Sequence, residues 1–176
     1  MSDNHSDSRR LFFALWPDDE VRHALFRWQT ANLPADVRWQ HRADLHITLH
    51  FLGQTPVARI QALRQLASDV STEGFTLVLD QIGHWPGPQV LWAGPHKVPG
   101  ALSALHGRLG ERLQANGFAI EERAYRPHVT LARKMSRAGD YRPLPPITWG
   151  VRELVLVESR PGDAPMYHPI GRWSPS

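Results

Sequence analysis

Two short segments of the chain carry the same arrangement of side chains that can move protons. One reads LHITL over residues 45–49, and the other reads PHVTL over residues 127–131. Because side chains alternate between the two faces of an extended strand, each segment presents its His and Thr on one face and its apolar residues on the other. The sequence therefore predicts two half-buried strands, each offering an imidazole and a hydroxyl.

Two such pairs facing each other suit reaction at a phosphodiester. An imidazole has an ordinary pKa near 6.5, so one of His46 and His128 can be neutral while the other is charged near pH 7. One ring would accept a proton from water and the other would donate one to the departing oxygen, each contributing roughly 10²–10⁴-fold. The hydroxyls of Thr48 and Thr130 would donate hydrogen bonds to the non-bridging oxygens. The two motifs are nearly symmetric, so the residues alone leave open which ring is the acid.

Other classes of chemistry lack their residues. The chain has no Cys, which excludes disulfides, thiolate metal sites and a Cys nucleophile. It also has no Gly-x-Ser-x-Gly elbow and no glycine-rich phosphate loop, so we expect no NTP-driven step. His46 and His50 are four residues apart, about 13 Å along a strand, which is too far to share one ion. We therefore predict neither a metal nor a cofactor.

Length and composition favour one globular domain. The 176 residues carry a formal net charge of +3, which is too small to identify a nucleic-acid-binding protein. No apolar run reaches the roughly 18 residues that span a bilayer, and the polar N-terminus lacks a signal-peptide core. We expect a cytoplasmic monomer without a membrane partner, with residues 1–9 as a frayed tail and residues 10–176 as a single domain.

The hydrophobic pattern predicts three helices among seven or eight short strands. Helices begin after Pro17, at Pro56 and at Pro99, and Gly53 is predicted to end the first motif strand. Several strands follow each other too closely for helical crossovers, which favours antiparallel pairing and an α+β class. The segment 136–146, rich in Pro, Gly and Arg, is predicted to be a loop. The predicted strands are 11–16, 37–40, 45–52, 75–82, 89–93, 128–133, 151–157 and 167–173.

The two motifs resemble the paired HxTx motifs of the 2H phosphoesterase superfamily. The longer strings LHITLHFLG and RPHVTLAR are similar to those of its bacterial and archaeal 2′-5′ RNA ligases, also called RNA 2′,3′-cyclic phosphodiesterases. The initial RLFFALWP, the helix after Pro17 and the closing YHPIGRWS fit as well, so the resemblance runs nearly end to end.

The resemblance implies a bilobal α+β fold. Two mainly antiparallel sheets with flanking helices would be related by a pseudo-two-fold axis, with the motifs facing across a central cleft. It implies opening of an RNA 2′,3′-cyclic phosphate to a 2′-phosphomonoester without metal or ATP, and reversible joining of RNA ends through 2′-5′ linkages. The implied partner is an RNA with a 2′,3′-cyclic phosphate end, such as a tRNA fragment.

The resemblance also implies roles for the motif residues. His46 would be the proton donor to the leaving 3′ oxygen, and His128 would be the proton acceptor that activates water. Thr48 and Thr130 would hold the phosphate, and Arg133 would contact the phosphate or a ribose hydroxyl.

Phe51 matches a base-contacting aromatic of the family; its alternative is a core position. Like Arg133, it lies five residues after a motif His, and simple alternation would point both away from the catalytic face. Each strand must therefore twist, bulge or end at this point.

Several other residues are left open or assigned to structure. His50 either lines the cleft or is a hydrogen-bonded core residue, and Tyr125 and Arg126 either line the cleft or lie on the surface. Trp39 is more suited to burial than to stacking on a base. The remaining histidines with no partner pattern are assigned structural roles: His84, His96, His106 and His168.

Three alternatives to this function differ in what would reveal them. Another 2H activity, on 2′-5′ oligoadenylate or a small cyclic phosphate, would differ in its product. A non-catalytic module that binds RNA ends would hold substrate without turnover. A metallohydrolase would lose activity in EDTA.

Overall fold

The structure, a computed structural model, describes residues 7–70 and 73–174. Within those ranges it contains three helices: α1 (Asp19–Asn32), α2 (Ile60–Asp69) and α3 (Gly100–Ala115). It also contains ten strands: β1 (Ser8–Leu15), β2 (Arg38–Trp39), β3 (Ile47–Pro56), β4 (Phe75–Leu79), β5 (Gln81–Trp85), β6 (Val90–Gly94), β7 (Val129–Arg133), β8 (Ile147–Val151), β9 (Leu154–Ser159) and β10 (Tyr167–Trp173).

Helix α1 starts where the first apolar run gives way to acids. The Asp18 carboxylate caps the helix by accepting a hydrogen bond from the Val21 amide at 2.9 Å. Asp19 and Glu20 occupy the first turn, where the helix dipole favours negative charge. The helix then packs against β8, while α2 packs against β10 and α3 packs against β3.

Most strands form one antiparallel sheet with the order β10-β9-β1-β3-β7-β6-β5, and β2 also pairs with β7. Strands β4 and β8 form a separate two-stranded antiparallel sheet. The predicted α+β class with antiparallel sheets is thus confirmed. Within the large sheet, the four strands β10-β9-β1-β3 form one arm, and β7 with its partners forms the other.

The two arms meet at a single residue pair, in which Ile47 lies opposite Val129. These residues directly follow His46 and His128, and both are fully buried on the core side. The point of contact between the arms is therefore also the place where the two predicted motifs come together.

Strand β1 supports this centre because it is buried on both faces. Leu11, Phe13 and Leu15 belong to the main core, which is covered by the helices. Phe12 and Ala14 face the other way, in a smaller apolar cluster with two side chains of β9. A strand buried on both faces reads as a continuous apolar run, as residues 11–15 do.

Some predicted boundaries differ from the structure. The first motif strand continues through Gly53, which adopts φ of 69°, and ends at Pro56. The predicted strand 75–82 is divided at Asp80 into β4 and β5, which belong to different sheets. The predicted strand 151–157 is likewise divided between β8 and β9. Charged residues stand at both breaks, but polar positions also occur within continuous strands, so the pattern does not show where the chain leaves one sheet for another.

The predicted tail 1–9 does not include Ser8 and Arg9. Ser8 and Arg9 belong to β1 and lie opposite Pro56 and Thr55. Residues 1–6 lie outside the described part of the chain. None of the helices in the described ranges is long and apolar enough to cross a membrane.

We expect the Asp18→Ala variant to unfold more easily than the parent protein. Loss of the cap leaves an amide of the first turn without its side-chain acceptor, which lowers the free energy of unfolding by about 1 kcal/mol. Urea unfolding followed by circular dichroism measures the difference. Asp18→Asn keeps an acceptor oxygen and serves as the control; equal losses in both variants would contradict a capping role.

Candidate active site

Both motif segments line one cavity of about 740 Å³ at the centre of the large sheet. The cavity lies on the face opposite the buried Ile47 and Val129, as alternation along the strands requires. All six residues predicted for the site line it, namely His46, Thr48, Phe51, His128, Thr130 and Arg133.

A β-bulge brings Phe51 to the cavity face. Phe51 lies opposite Phe12 and Thr48 lies opposite Ala14, so three steps along β3 match two steps along β1. Because Phe12 and Ala14 share a face of β1, Thr48 and Phe51 share a face of β3. The extra residue reverses the alternation after Thr48, which is the effect a bulge has on side-chain direction.

A second bulge does the same for Arg133. Thr130 lies opposite Trp92 and Ala132 lies opposite Leu91, so two steps along β7 match one step along β6. Arg133, the next residue, consequently emerges on the face of Thr130. The two motifs therefore share their bulge as well as their residues, and the expectation that each strand departs from simple alternation is confirmed.

Hydrogen bonds to backbone carbonyls fix the orientation of both imidazoles. His46 Nδ1 lies 2.6 Å from the Asp44 carbonyl oxygen, and His128 Nδ1 lies 2.8 Å from that of Arg126. A carbonyl oxygen only accepts, so each ring must carry a proton on Nδ1. In the neutral rings, Nε2 is left as the basic nitrogen.

The two Nε2 atoms have different surroundings. His46 Nε2 lies 3.0 Å from the Thr48 hydroxyl oxygen, so in the neutral ring it accepts the hydroxyl proton. His128 Nε2 makes no hydrogen bond to any described residue. The structure therefore leaves the lone pair of His128 available in the cavity, while that of His46 is already engaged.

An aromatic enclosure surrounds His46. Its ring centroid lies 4.9 Å from that of Phe12, 5.0 Å from that of Tyr167 and 5.8 Å from that of Trp16, which is stacked on it. Burial in this enclosure lowers the pKa of His46 to about 4, and the bond to the Asp44 carbonyl offsets only part of the shift. His46 is accordingly neutral at pH 7 in the free protein.

His128 is less enclosed. Trp85 packs edge-to-face on its ring, with the centroids 4.5 Å apart. Burial lowers the pKa of His128, the bond to the Arg126 carbonyl opposes the shift, and the positive charge of Arg133 adds to it. The same charge contributes to lowering the pKa of His46, so the guanidinium acts on both rings.

Asp44 connects His46 to the end of the chain. Its buried carboxylate accepts hydrogen bonds from the backbone amides of Met166 and Tyr167, both at 3.0 Å. Its carbonyl accepts from His46, as described above. One residue thus orients the imidazole and holds Tyr167 against it. More than 120 residues separate these partners, so no local pattern in the sequence reveals the arrangement.

Phe51 and Arg133 differ in exposure. The Phe51 side chain is 54% exposed at the cavity, so the core alternative considered for it is wrong. Arg133 is half-buried, and its Nε lies 3.4 Å from the Gln40 side-chain oxygen. An exposed aromatic ring and a partly buried cation therefore line the same cavity as the motif residues.

Several residues depart from their sequence assignments. His106 was assigned a structural role, but it lines the cavity. His50 was predicted either to line the cleft or to be a hydrogen-bonded core residue, and it does both. It lines the cavity, and its Nε2 donates to the His106 carbonyl at 2.9 Å. Tyr125 and Arg126 line the cavity too. Trp39 instead donates its indole proton to the Pro34 carbonyl and is not a cavity residue.

The described part of the chain holds no group of acidic and imidazole side chains suited to a metal ion. Across residues 7–70 and 73–174, no three His, Asp or Glu side chains converge as a metal site requires. The prediction that no metal participates remains a prediction, to be tested by activity.

Comparisons with known proteins bear on this site. Residues 17–163 match the family model of the 2′-5′ RNA ligase superfamily. An RNA 2′,3′-cyclic phosphodiesterase of Escherichia coli K12 is 34% identical over 173 residues, which are 96% of this chain and 98% of that protein.

Solved structures of similar proteins share the fold of this chain. The crystal structure of E. coli LigT complexed with 3′-AMP superposes with a TM-score of 0.89 at 31% identity, covering 97% of this chain and 99% of the other. A structure from Thermus thermophilus gives 0.81 at 26% identity, covering 94% and 97%.

The lowered pKa of His46 predicts a loss of stability in mild acid. Between its ordinary pKa of 6.5 and about 4, the unfolded chain binds a proton on this ring that the folded protein excludes. The free energy of unfolding therefore falls as the pH is lowered through this window, and His46 accounts for up to about 3 kcal/mol of the fall. We expect His46→Gln to make the decrease shallower, as measured by urea unfolding at pH 7 and pH 5.

The exposed His23 supplies a control for that measurement. His23→Gln should show the same loss of stability between pH 7 and pH 5 as the parent protein. An unchanged loss in His46→Gln would contradict the exclusion of the proton from this half-buried ring.

Proposed function

The chain belongs to the 2′-5′ RNA ligase superfamily, and from that premise we propose that it hydrolyses RNA 2′,3′-cyclic phosphate ends to 2′-phosphomonoesters. The observation that carries the proposal is the placement of two imidazoles, each held with Nδ1 protonated, in one cavity. The relative from E. coli named for this activity is matched over nearly its whole length.

The proposed reaction is a displacement at phosphorus. His128 Nε2 accepts a proton from water as the water oxygen attacks, and the bond from phosphorus to the 3′ oxygen breaks. His46 Nε2 donates a proton to that departing oxygen. One proton enters the protein and one leaves, so the pair ends with its charges exchanged and is reset by solvent.

The asymmetry of the two rings supports this assignment. A base must present a free lone pair, and among the described residues His128 Nε2 has no hydrogen-bond partner to displace. An acid must carry an extra proton, which burial disfavours at His46 until a counter-charge arrives. The phosphodiester is an anion, so its entry favours protonation of His46 as the donor role requires.

The remaining site residues would bind the substrate. Thr48 and Thr130, which line the cavity, would donate hydroxyl protons to the non-bridging phosphate oxygens, where negative charge builds up. The Arg133 guanidinium supplies positive charge to the phosphate or a hydrogen bond to a ribose hydroxyl. Phe51 offers an exposed ring on which a terminal base can stack.

The same site would also accept a second nucleophile in place of water. If an RNA 5′-hydroxyl replaces water at His128, the attack forms a 2′-5′ phosphodiester without ATP, which is the activity for which the superfamily is named. We propose hydrolysis as the main reaction and joining as a parallel reaction of the same cyclic phosphate, with the protein acting as a monomer on RNA ends.

Substitution of either imidazole should abolish most of the turnover. We expect His46→Ala and His128→Ala each to lower kcat by roughly 10²–10⁴-fold on an oligonucleotide that ends in a 2′,3′-cyclic phosphate. Product analysis should show a 2′-phosphate, and EDTA should leave the parent's rate unchanged. His23→Ala, on an exposed face of α1, is the control. Parental turnover in either site variant would reject the proposal.

The pH dependence separates the two roles. The parent enzyme should show a bell-shaped profile of kcat/KM, because one ring must be neutral and the other charged. The residual activity of His128→Ala should lack the acid limb, and that of His46→Ala should lack the alkaline limb. The reverse pattern would exchange the acid and the base.

Removal of the exposed ring should affect binding more than chemistry. Stacking on a base is worth roughly 1–3 kcal/mol, so we expect Phe51→Ala to raise KM about tenfold for a cyclic-phosphate dinucleotide. For ribose 2′,3′-cyclic phosphate, which has no base, KM should stay unchanged. Val78→Ala removes another exposed apolar side chain and is the control. Equal effects on both substrates would contradict base stacking.

A further inference from the structure

Three aromatic side chains form a stacked column in the wall of the cavity. His50 of β3 stacks on His106 of α3, with centroids 4.1 Å apart and planes 18° from parallel. His106 in turn stacks on Tyr125, at 3.8 Å and 12°. We call these three residues the column. It joins a motif strand, a helix and the segment that leads into the second motif.

The end of the column at Tyr125 is tied directly to the first motif. The Tyr125 hydroxyl donates a hydrogen bond to the Thr48 carbonyl oxygen at 2.9 Å. Tyr125 lies three residues before His128, and Thr48 lies two residues after His46. This single bond therefore crosses the cleft from one motif to the other.

The segment before His128 has few other anchors. Residues 119–125 have no regular secondary structure, and the described backbone shows no main-chain hydrogen bond from them to the rest of the molecule. A loop without such bonds depends on its side chains for its position. Ile120 packs against the core at the start of the segment, and the Tyr125 side chain, held by the stack and by the Thr48 carbonyl, provides the anchor nearest to His128.

The other end of the column is held firmly as well. His50 is buried, and its Nε2 donates to the His106 carbonyl at 2.9 Å. It lies against Gly110 of α3, where an added Cβ would come within 3.1 Å of its ring. Close packing of this kind leaves the rings of His50 and His106 little room to shift relative to Tyr125.

The column is uncharged under ordinary conditions. Burial lowers the pKa of His50, and burial together with its neighbour His50 lowers the pKa of His106 to about 4. Burial raises the pKa of Tyr125 well above its ordinary value, so its hydroxyl keeps the proton that it donates. The rings therefore stack without charge repulsion at neutral pH.

We propose that Tyr125, supported by the stacked rings of His106 and His50, is a positioning residue that sets the separation of His46 and His128. It contacts the backbone of Thr48 and acts through the placement of the two imidazoles. The inference rests on the proposed function because its readout is turnover. It assigns a working role to a histidine pair that neither motif contains.

The first test removes one oxygen atom. Tyr125→Phe keeps the ring and its stack but loses the bond to the Thr48 carbonyl. We expect kcat to fall about tenfold with KM nearly unchanged, because misplaced proton-transfer groups slow the chemical step more than binding. Tyr141→Phe removes a hydroxyl from a ring that packs on Trp28 outside the cavity, and should leave kcat unchanged. A kcat of Tyr125→Phe within about twofold of the parent would overturn the proposal.

The second test asks whether the stack contributes. His106→Ala removes the middle ring, and we expect kcat to fall by about tenfold. His106→Phe restores an aromatic ring without its nitrogens and should recover most of that loss. Equal losses in both variants would show that the stack does not position Tyr125.

Two further measurements separate positioning from folding and from the chemistry itself. Urea unfolding should show Tyr125→Phe folded under assay conditions, while the NMR signals of the His46 and His128 rings should shift in this variant and remain in place in Tyr141→Phe. If His46→Ala and His128→Ala abolish turnover and Tyr125→Phe does not, only the present inference fails. If those two His variants keep full turnover, the proposed function fails first.

Discussion

The pairing of Ile47 with Val129 is the contact on which the site depends. It is the only pair that joins β3 to β7 in the described sheet. Each partner directly follows a motif His and buries its own side chain in the core. Because these two apolar residues are buried in the core, the preceding imidazoles point toward the opposite face of the sheet. The packing of the core therefore also orients the two imidazole side chains.

Burial also controls the charge of His46 in the cavity. Apolar rings around the half-buried His46 limit its contact with water, which disfavours an isolated charge there and lowers its pKa. The same low-dielectric surroundings strengthen the attraction between a protonated ring and a bound phosphate. His46 is therefore uncharged in the free protein, and in the proposed mechanism it becomes protonated as the anionic substrate binds, which couples protonation to binding.

Much of the site could be predicted from the sequence because its central signal is local. The alternation of His, Thr and apolar residues fixes which side chains share a face, and the structure keeps that pattern at His46 and His128. For Phe51 and Arg133, simple alternation and the family resemblance predicted opposite faces of the strand. The sequence could not resolve this, because a bulge depends on the register of the neighbouring strand. That register is set by long-range pairing with β1 and β6.

The residues that sequence reasoning missed are those whose partners lie far along the chain. The Asp44 carboxylate accepts hydrogen bonds from backbone amides more than 120 residues away. His106 lies on α3, and the apolar pattern of that helix does not indicate that one of its residues lines the cavity. Likewise, Asp80 interrupts the apolar run of the predicted strand 75–82, but one polar residue does not reveal that the chain changes sheets there. Such features depend on the packing of helices and strands that are distant in sequence. The pattern of residues within one segment does not reveal that packing.

Two motifs with one pattern are nevertheless suited to two tasks, and the difference lies in what surrounds them. Both rings are oriented by a carbonyl two residues earlier, and both strands carry a bulge after the Thr. The first ring, however, is enclosed by three aromatic side chains and bonded to its own Thr. The second touches one Trp and keeps its lone pair free of the described residues. In the proposed mechanism, the repetition supplies two proton-transfer groups, and their unequal neighbours assign the acid role to one and the base role to the other.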